Sequence, residues 1–231
     1  MLTLIKKDLQ KHANAECAKL LSRYFKTGKG EYGEGDVFLG VKVGPQREIS
    51  KKYVNLTLKD LQELLSSKIH EYRLVSIFIL IDKYKKADEK GKKEIADFYL
   101  KNTKNINNWD LIDLSSGKIV GNYLLDKNKF VIYKLAKSKS LWERRISIMA
   151  TSEFIRNNKF DHTLKISEML LYDKHDLIHK AVGWMLREVG KRNHVAEEKF
   201  LKKYYKKMPR TMLRYAIEKF DERKRKHYLE K

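Results

Sequence analysis

Arg73-Leu74-Val75-Ser76-Ile77, Arg144-Arg145-Ile146-Ser147-Ile148 and Lys180-Ala181-Val182-Gly183-Trp184 can be laid over one another. Each carries a basic residue and, three positions later, a small residue inside an apolar run. Ser76, Ser147 and Gly183 are 71 and 36 positions apart, so a period near 36 with one degenerate copy between the first two accounts for both gaps. Ala216, 33 further on, is a weaker continuation. Recurring small residues let the backbones of neighbouring helices approach closely in paired-helix solenoids. The pattern predicts an all-α chain, a curved HEAT-like solenoid with one concave face.

The surrounding sequence agrees. Only 2 of the 231 residues are proline, and apolar residues recur at helical spacing over most of the length, while strand signals are nearly missing. Helices are expected over 3–25, 57–65, 70–84, 90–102, 107–113, 126–136, 140–155, 160–171, 175–191, 194–203 and 208–219, joined by short polar links. The length suits one repeat domain, taken as 1–231, with enough chain for a sizeable core.

Composition narrows the function classes. A hydrophobic fraction of 42% is too high for a disordered basic tail, so the charge must coat a folded body. The single Cys17 excludes a disulfide framework, and the seven scattered His include no paired ligand motif, so neither a metal nor a cofactor is expected. The longest apolar stretch, Leu74 to Ile81, is far short of a membrane span. No secretory signal is visible at the start, and the expected location is the cytoplasm. The net charge of +21 calls for a polyanion: nucleic acid, or an acidic membrane surface as the rival. It is spread along the chain, with 12 basic and 4 acidic residues in 201–231, as befits a long binding surface. Solubility alone would also explain Lys-rich faces.

Three constellations carry chemical potential. In Asn107-Asn108-Trp109-Asp110-Leu111-Ile112-Asp113-Leu114, Trp109 and Asp113 are four apart on one helix face. An aromatic beside a carboxylate suits a cation, although a packed Trp and a capping Asp have the same spacing. Trp184 and Arg187 form a second pair, with a core aromatic and a solvated arginine as the plain reading. In Leu141-Trp142-Glu143-Arg144-Arg145, two adjacent arginines cannot face the same way. At most one enters a groove, where a guanidinium can clasp a phosphate, while the other pairs with an acid such as Glu143. Between Gly28 and Gly44 lie six of the eleven glycines. They make a loop that either connects helices or faces a substrate, without a Walker or dinucleotide fingerprint.

Taken together, Tyr24-Phe25-Lys26-Thr27-Gly28-Lys29-Gly30-Glu31-Tyr32-Gly33-Glu34-Gly35-Asp36, Phe38-Leu39-Gly40-Val41, Asn108-Trp109-Asp110-Leu111-Ile112-Asp113, Leu141-Trp142-Glu143-Arg144-Arg145, Asp176 to Glu188 and Met208 to Ala216 resemble the AlkD family of DNA alkylation repair glycosylases. The resemblance covers nearly the whole chain, except helix 1–23. It implies HEAT-like repeats around a concave, basic DNA-binding surface and excision of N3- and N7-alkylated purines from duplex DNA. A solenoid whose inner face wraps a duplex is most simply a monomer. It places the catalytic Asp on Asp113 and its partner aromatic on Trp109. The second aromatic falls on Trp184, and the DNA-contacting arginines on Arg145 and Arg187. Only the resemblance chooses Arg145 over Arg144.

The implied chemistry is coherent. An N3- or N7-alkylpurine is already cationic, so it leaves without protonation and one carboxylate suffices. That carboxylate meets an oxocarbenium-like sugar as the glycosidic bond lengthens, and it orients water. The competing classes are a non-catalytic HEAT scaffold that binds DNA or RNA, and a HEAT module that binds an acidic protein.

Overall fold

Helix caps written into the sequence decide where the helices of the computed structural model begin; it describes residues 1–230. Asn14 accepts a hydrogen bond from the Cys17 N–H at 2.8 Å and divides the expected 3–25 helix into α1 (Leu2–Gln10) and α2 (Ala15–Tyr24). The Gly-rich loop follows, and then α3 (Val43–Lys52), which lies outside the helices expected from the sequence. Pro45 sits in its first turn, where no intrahelical N–H is required. A Thr57/Asp60 capping box opens α4 (Leu58–Leu65), and α5 (His70–Lys86) and α6 (Glu89–Lys101) complete the first half.

The degenerate repeat forms α7 (Trp109–Ser116). It runs directly through a π-helical turn, Gly117–Gly121, into the short α8 (Asn122–Leu124). Then come α9 (Phe130–Ala136), α10 (Leu141–Arg156), α11 (Asp161–Met169), α12 (Asp176–Gly190), α13 (His194–Tyr204), α14 (Arg210–Ala216) with a 3₁₀ turn to Lys219, and α15 (Glu222–Leu229). The last was not expected from the sequence. Among the described residues the one extended pairing is a parallel bridge between Val37 and Ile69.

The chain packs as two compact units, residues 1–111 and 112–231. In the first, α5 is the central helix, apolar and buried nearly all round from Leu74 to Ile81, with α3, α4 and α6 packed against it. In the second, α10 packs on α12 and α12 on α14, and α9, α11 and α13 pack against them.

The three motif helices are thus α5, α10 and α12, and their small residues sit at close contacts. Ser76 Oγ donates to the Leu61 carbonyl of α4 at 3.1 Å. Ser147 is fully buried. A Cβ on Gly183 would lie against the Met212 carbonyl and 2.5 Å from Tyr215 Cβ, so α12 and α14 meet backbone to backbone. The basic residue of the motif has a structural task. Arg73 Nη1 donates to the Ser67 carbonyl and Arg144 Nη1 to the Ser138 carbonyl, each six residues upstream, so each arginine clasps the loop that enters its own helix. Each also pairs with an aspartate, Arg73 with Asp36 and Arg144 with Asp173.

One carboxyl is buried outside this logic. Glu197 of α13 is 2% exposed, lies over Gly190 where a side chain would have no room, and leaves Oε1 without a partner. Burial pushes its carboxyl up to about 8, with the charge of Glu198 adding and Arg187 opposing.

Two outcomes follow from this packing. Gly183→Ala overpacks the α12/α14 contact and lowers unfolding free energy in urea by about 1–3 kcal/mol, whereas Gly44→Ala, with open space around its Cβ, does not destabilise. The native state holds a proton on Glu197 that the unfolded chain releases above about pH 4.3. This contribution to stability is complete below that value and is lost as pH rises through about 8. Glu197→Gln should flatten that limb in urea denaturation repeated across the range.

Candidate active site

The site residues are set by the start of α7. Asn108, fully buried, accepts from the Trp109 N–H at 2.8 Å, and Leu111, Ile112, Ser115 and Ser116 turn into the protein. That leaves Trp109 and Asp113, one turn apart, on a partly exposed face. The π turn begins four residues after Asp113 and rests on α10. Gly117 and Gly121 have no Cβ to hold it off the Ser152 side chain and the Ala150 carbonyl, and Ser116 Oγ donates to the Ile146 carbonyl at 2.8 Å. Single π turns inside α-helices often lie beside functional residues.

In the first unit, Trp109 stacks on Phe25 at 5.1 Å between ring centroids, with planes 16° apart, and Tyr24 meets it edge-on at 5.7 Å. Phe25 in turn stacks on Phe38, and both rings pack on His70. One face of the indole is therefore covered by Phe25, while Tyr24 stays 64% exposed. Beneath this column His70 lies between two carboxylates, Nε2 at 2.8 Å from Asp110 Oδ2 and Nδ1 at 3.2 Å from Asp36 Oδ2. Arg73 Nη2 reaches the same Asp36 oxygen at 2.6 Å. Burial alone would push the His70 imidazole down. The Asp110 charge and hydrogen bond, with the Asp36 hydrogen bond, outweigh it and raise His70, Arg73 opposing. Burial likewise works against the charge of Asp36, but the His70 hydrogen bond and the Arg73 charge hold its carboxyl below the usual range.

The Gly-rich loop delivers Asp36 and Phe38 to this cluster. Its Gly28 and Gly30 N–H groups donate to the carboxylates of Glu31 and Glu34, both at 2.8 Å. Those donors are thus already used within the loop and make no phosphate cradle.

In the second unit, Arg145 of α10 grips Asp113 with a two-pronged fork, Nε to Oδ1 at 2.9 Å and Nη2 to Oδ2 at 2.8 Å, and Nη1 donates to the Leu177 carbonyl of α12. Arg145 is 4% exposed. Both adjacent arginines pair with acids distant in sequence, Arg144 with Asp173 and Arg145 with Asp113. Trp184 is half-buried and donates from Nε1 to Glu188 Oε1 at 3.2 Å. Arg187 shares Glu188 and pairs with Glu218, its Nε buried without a partner.

The structure therefore joins Asp113 to Arg145, and Trp184 to Arg187 through Glu188. It adds Phe25, Asp36, His70, Arg73, Asn108 and Asp110 around Trp109. Sequence reasoning gave these no role, although Phe25, Asp36, Asn108 and Asp110 lie in the runs quoted above. Among the described residues no group of three or more His, Cys, Asp or Glu could hold a metal ion, and no helix is long and apolar enough to cross a membrane.

A family model described as DNA alkylation repair enzyme matches residues 5–220. The chain belongs to that family. Direct comparison with curated proteins gives no match. Among solved structures, a predicted DNA alkylation repair enzyme from Enterococcus faecalis superposes with a TM-score of 0.71 at 17% identity, over 91% of this chain and 98% of that one. AlkD2 from Streptococcus mutans gives 0.56 at 16% identity, over 90% and 98%. At such identities these two likenesses establish the helical-repeat fold, and the family model establishes kinship with DNA alkylation repair enzymes.

Removing one partner of a buried ion pair strands the other charge. Arg145→Ala should cost about 3–5 kcal/mol of unfolding free energy, and Asp113→Ala/Arg145→Ala clearly less than the sum of its single changes. A urea double-mutant cycle measures this, and strict additivity would mean that the pair does not form in solution.

Proposed function

We propose that this member of the family is a monofunctional alkylpurine DNA glycosylase, acting as a monomer on duplex DNA without cofactor or metal. It hydrolyses the N-glycosidic bond of N3- and N7-alkylpurines, such as 3-methyladenine and 7-methylguanine, and leaves an abasic site. The observation that carries the reading is the Asp113 carboxylate, held by both prongs of the Arg145 fork one helical turn after Trp109.

The chemistry needs only what such a carboxylate supplies. The alkylated purine is cationic, so the departing base needs no proton. As the bond stretches, positive charge passes to the deoxyribose, and Asp113 stabilises it and accepts a hydrogen bond from the attacking water. Water adds at the anomeric carbon, the bonding pair leaves with the now neutral base, and the water's second proton passes to solvent. The fork fixes the carboxylate's direction before the substrate arrives, so no reorganisation is needed when the charge develops.

Trp109, on the indole face away from Phe25, and Trp184 are each proposed as π partners for the cationic nucleotide, each contact worth about 0.5–2 kcal/mol. Arg187, which would exchange Glu218 for a phosphate, is the principal proposed backbone contact. Arg145 keeps two N–H groups beyond those spent on Asp113 and Leu177, and these are proposed to reach a phosphate as well. The surplus of positive charge supplies sequence-independent affinity and lesion search.

Chromatography of bases released from methylated duplex DNA tests the reading. Release of 7-methylguanine or 3-methyladenine is expected. Salt-sensitive DNA binding with no base released from any alkylated duplex would instead make the chain a non-catalytic scaffold.

A further inference from the structure

His70, the first residue of α5, is buried in the first unit, 2% exposed, and nothing in the base-removal chemistry uses it. Its surroundings are directed at one residue. Trp109 is flanked in the chain by Asn108 and Asp110, and both are tied to the His70 cluster. Asn108 Nδ2 donates to Asp36 Oδ2 at 3.4 Å, and Asp110 Oδ2 lies 2.8 Å from His70 Nε2. The other two oxygens of this pair engage the α7 backbone, Asn108 Oδ1 at Trp109 N–H and Asp110 Oδ1 at Leu111 N–H, both at 2.8 Å. The ring on which Trp109 stacks, Phe25, packs on His70 itself at 5.0 Å. His70 therefore reaches the first turn of α7 through Asp110, and touches Phe25, the ring on which the indole stacks.

We propose that His70 is the positioning residue for Trp109, bridging Asp36 of the Gly-rich loop and Asp110 of α7 so that the indole is held ready for the cationic nucleotide. The proposal rests on the glycosylase reading for its effect on catalysis, but not for its effect on the indole.

Charge balance indicates how the bridge works. The groups facing His70 are Asp36 from the loop, Asp110 from α7, and Arg73 on its own helix, with neighbouring Glu71 already spent on the N–H groups of Leu39, Gly40 and Val41. Two largely covered carboxylates facing one guanidinium leave a net negative charge. A second cation closes it, and a protonated imidazole donates from both ring nitrogens to the two acceptors. The raised His70 titration agrees with this arrangement. Deprotonation removes one donor and the balancing charge together, which loosens either the loop or the first turn of α7. The effect sets in above the ordinary imidazole range, as the pH rises through the raised folded-state value.

The experiment uses the full chain and two kinds of readout. The indole N–H signal of Trp109, identified in NMR spectra by its loss in Trp109→Phe, is followed with pH in wild type and in His70→Gln. In wild type it should move with the same midpoint as the His70 ring protons. In His70→Gln it should be displaced and insensitive over that range, while the Trp184 signal stays in place. Single-turnover release of 7-methylguanine should fall about tenfold in His70→Gln, through misplacement rather than loss of a reacting group, with affinity for undamaged duplex unchanged. The fall in the wild-type rate across the His70 titration should be absent in the variant. Where His70→Gln does not fold, Asp110→Asn, which removes only the charge that Nε2 faces, should displace the same indole signal.

A Trp109 signal that ignores the His70 titration and is unmoved by either variant overturns the proposal. A moving indole in a protein that releases no base supports the bridge and removes the glycosylase reading, so the two failures are told apart.

Discussion

A carboxylate that stabilises a developing cation has to remain ionised, stay aimed and be kept from collapsing onto the nearest lysine of a chain with 51 basic residues. In the role proposed for Asp113, its aim and its choice of partner are both set by one contact, the fork of Arg145. An arginine serves here because its guanidinium keeps its charge and matches both carboxylate oxygens in one plane, whereas a lysine offers a point charge. The cost is desolvation of two ions, returned only when the geometry is good and the remaining donors are used. Donation from Arg145 Nη1 to the Leu177 carbonyl ties the pair to the entry of α12. The π turn, whose two glycines let it rest on α10, and the Ser116 hydrogen bond to the Ile146 carbonyl hold α7 against the helix that carries Arg145.

The same device recurs elsewhere, used for architecture. Arg73 and Arg144 each take a carbonyl six residues back and an aspartate from a loop, which locks the segment entering α5 or α10. Arg145 is the next residue after such a clasp. Its position beside a fixed neighbour on a buried helix leaves it few rotamers, so the Asp113 carboxylate that it holds inherits the rigidity of the repeat. In the first unit the arrangement is elaborated, for the Arg73 clasp also contains His70, and through Asp36 and Asp110 it reaches the residues on both sides of Trp109.

Much of this was legible in the sequence. The buried helices α5, α10 and α12 follow from apolar runs around Ser76, Ser147 and Gly183, because a small residue in such a run has the same consequence wherever it occurs: two backbones meet. Trp109 and Asp113 were legible as a helical pair four residues apart. Other features were hidden for identifiable reasons. Pro45 concealed α3, since a proline reads as a break unless its place in the first turn is known. Asn14 divides the first helix through a cap whose signal is weak within an otherwise periodic run. The π turn has no sequence signature beyond Gly117 and Gly121. The partners of His70 come from residues 34 and 40 positions away, and those of Arg144 and Arg145 from 29 and 32 away, distances over which periodicity carries no information. The resemblance could choose Arg145 over Arg144 but gave it only to DNA, and the geometry gives it first to Asp113.

The most direct test of the central claim, that a clamped Asp113 carboxylate drives base removal, is the single-turnover excision rate of Asp113→Asn on a 7-methylguanine duplex. Asparagine keeps the shape and loses the charge. A fall of about 10²–10³ with DNA affinity maintained is predicted, and excision at the wild-type rate would contradict it.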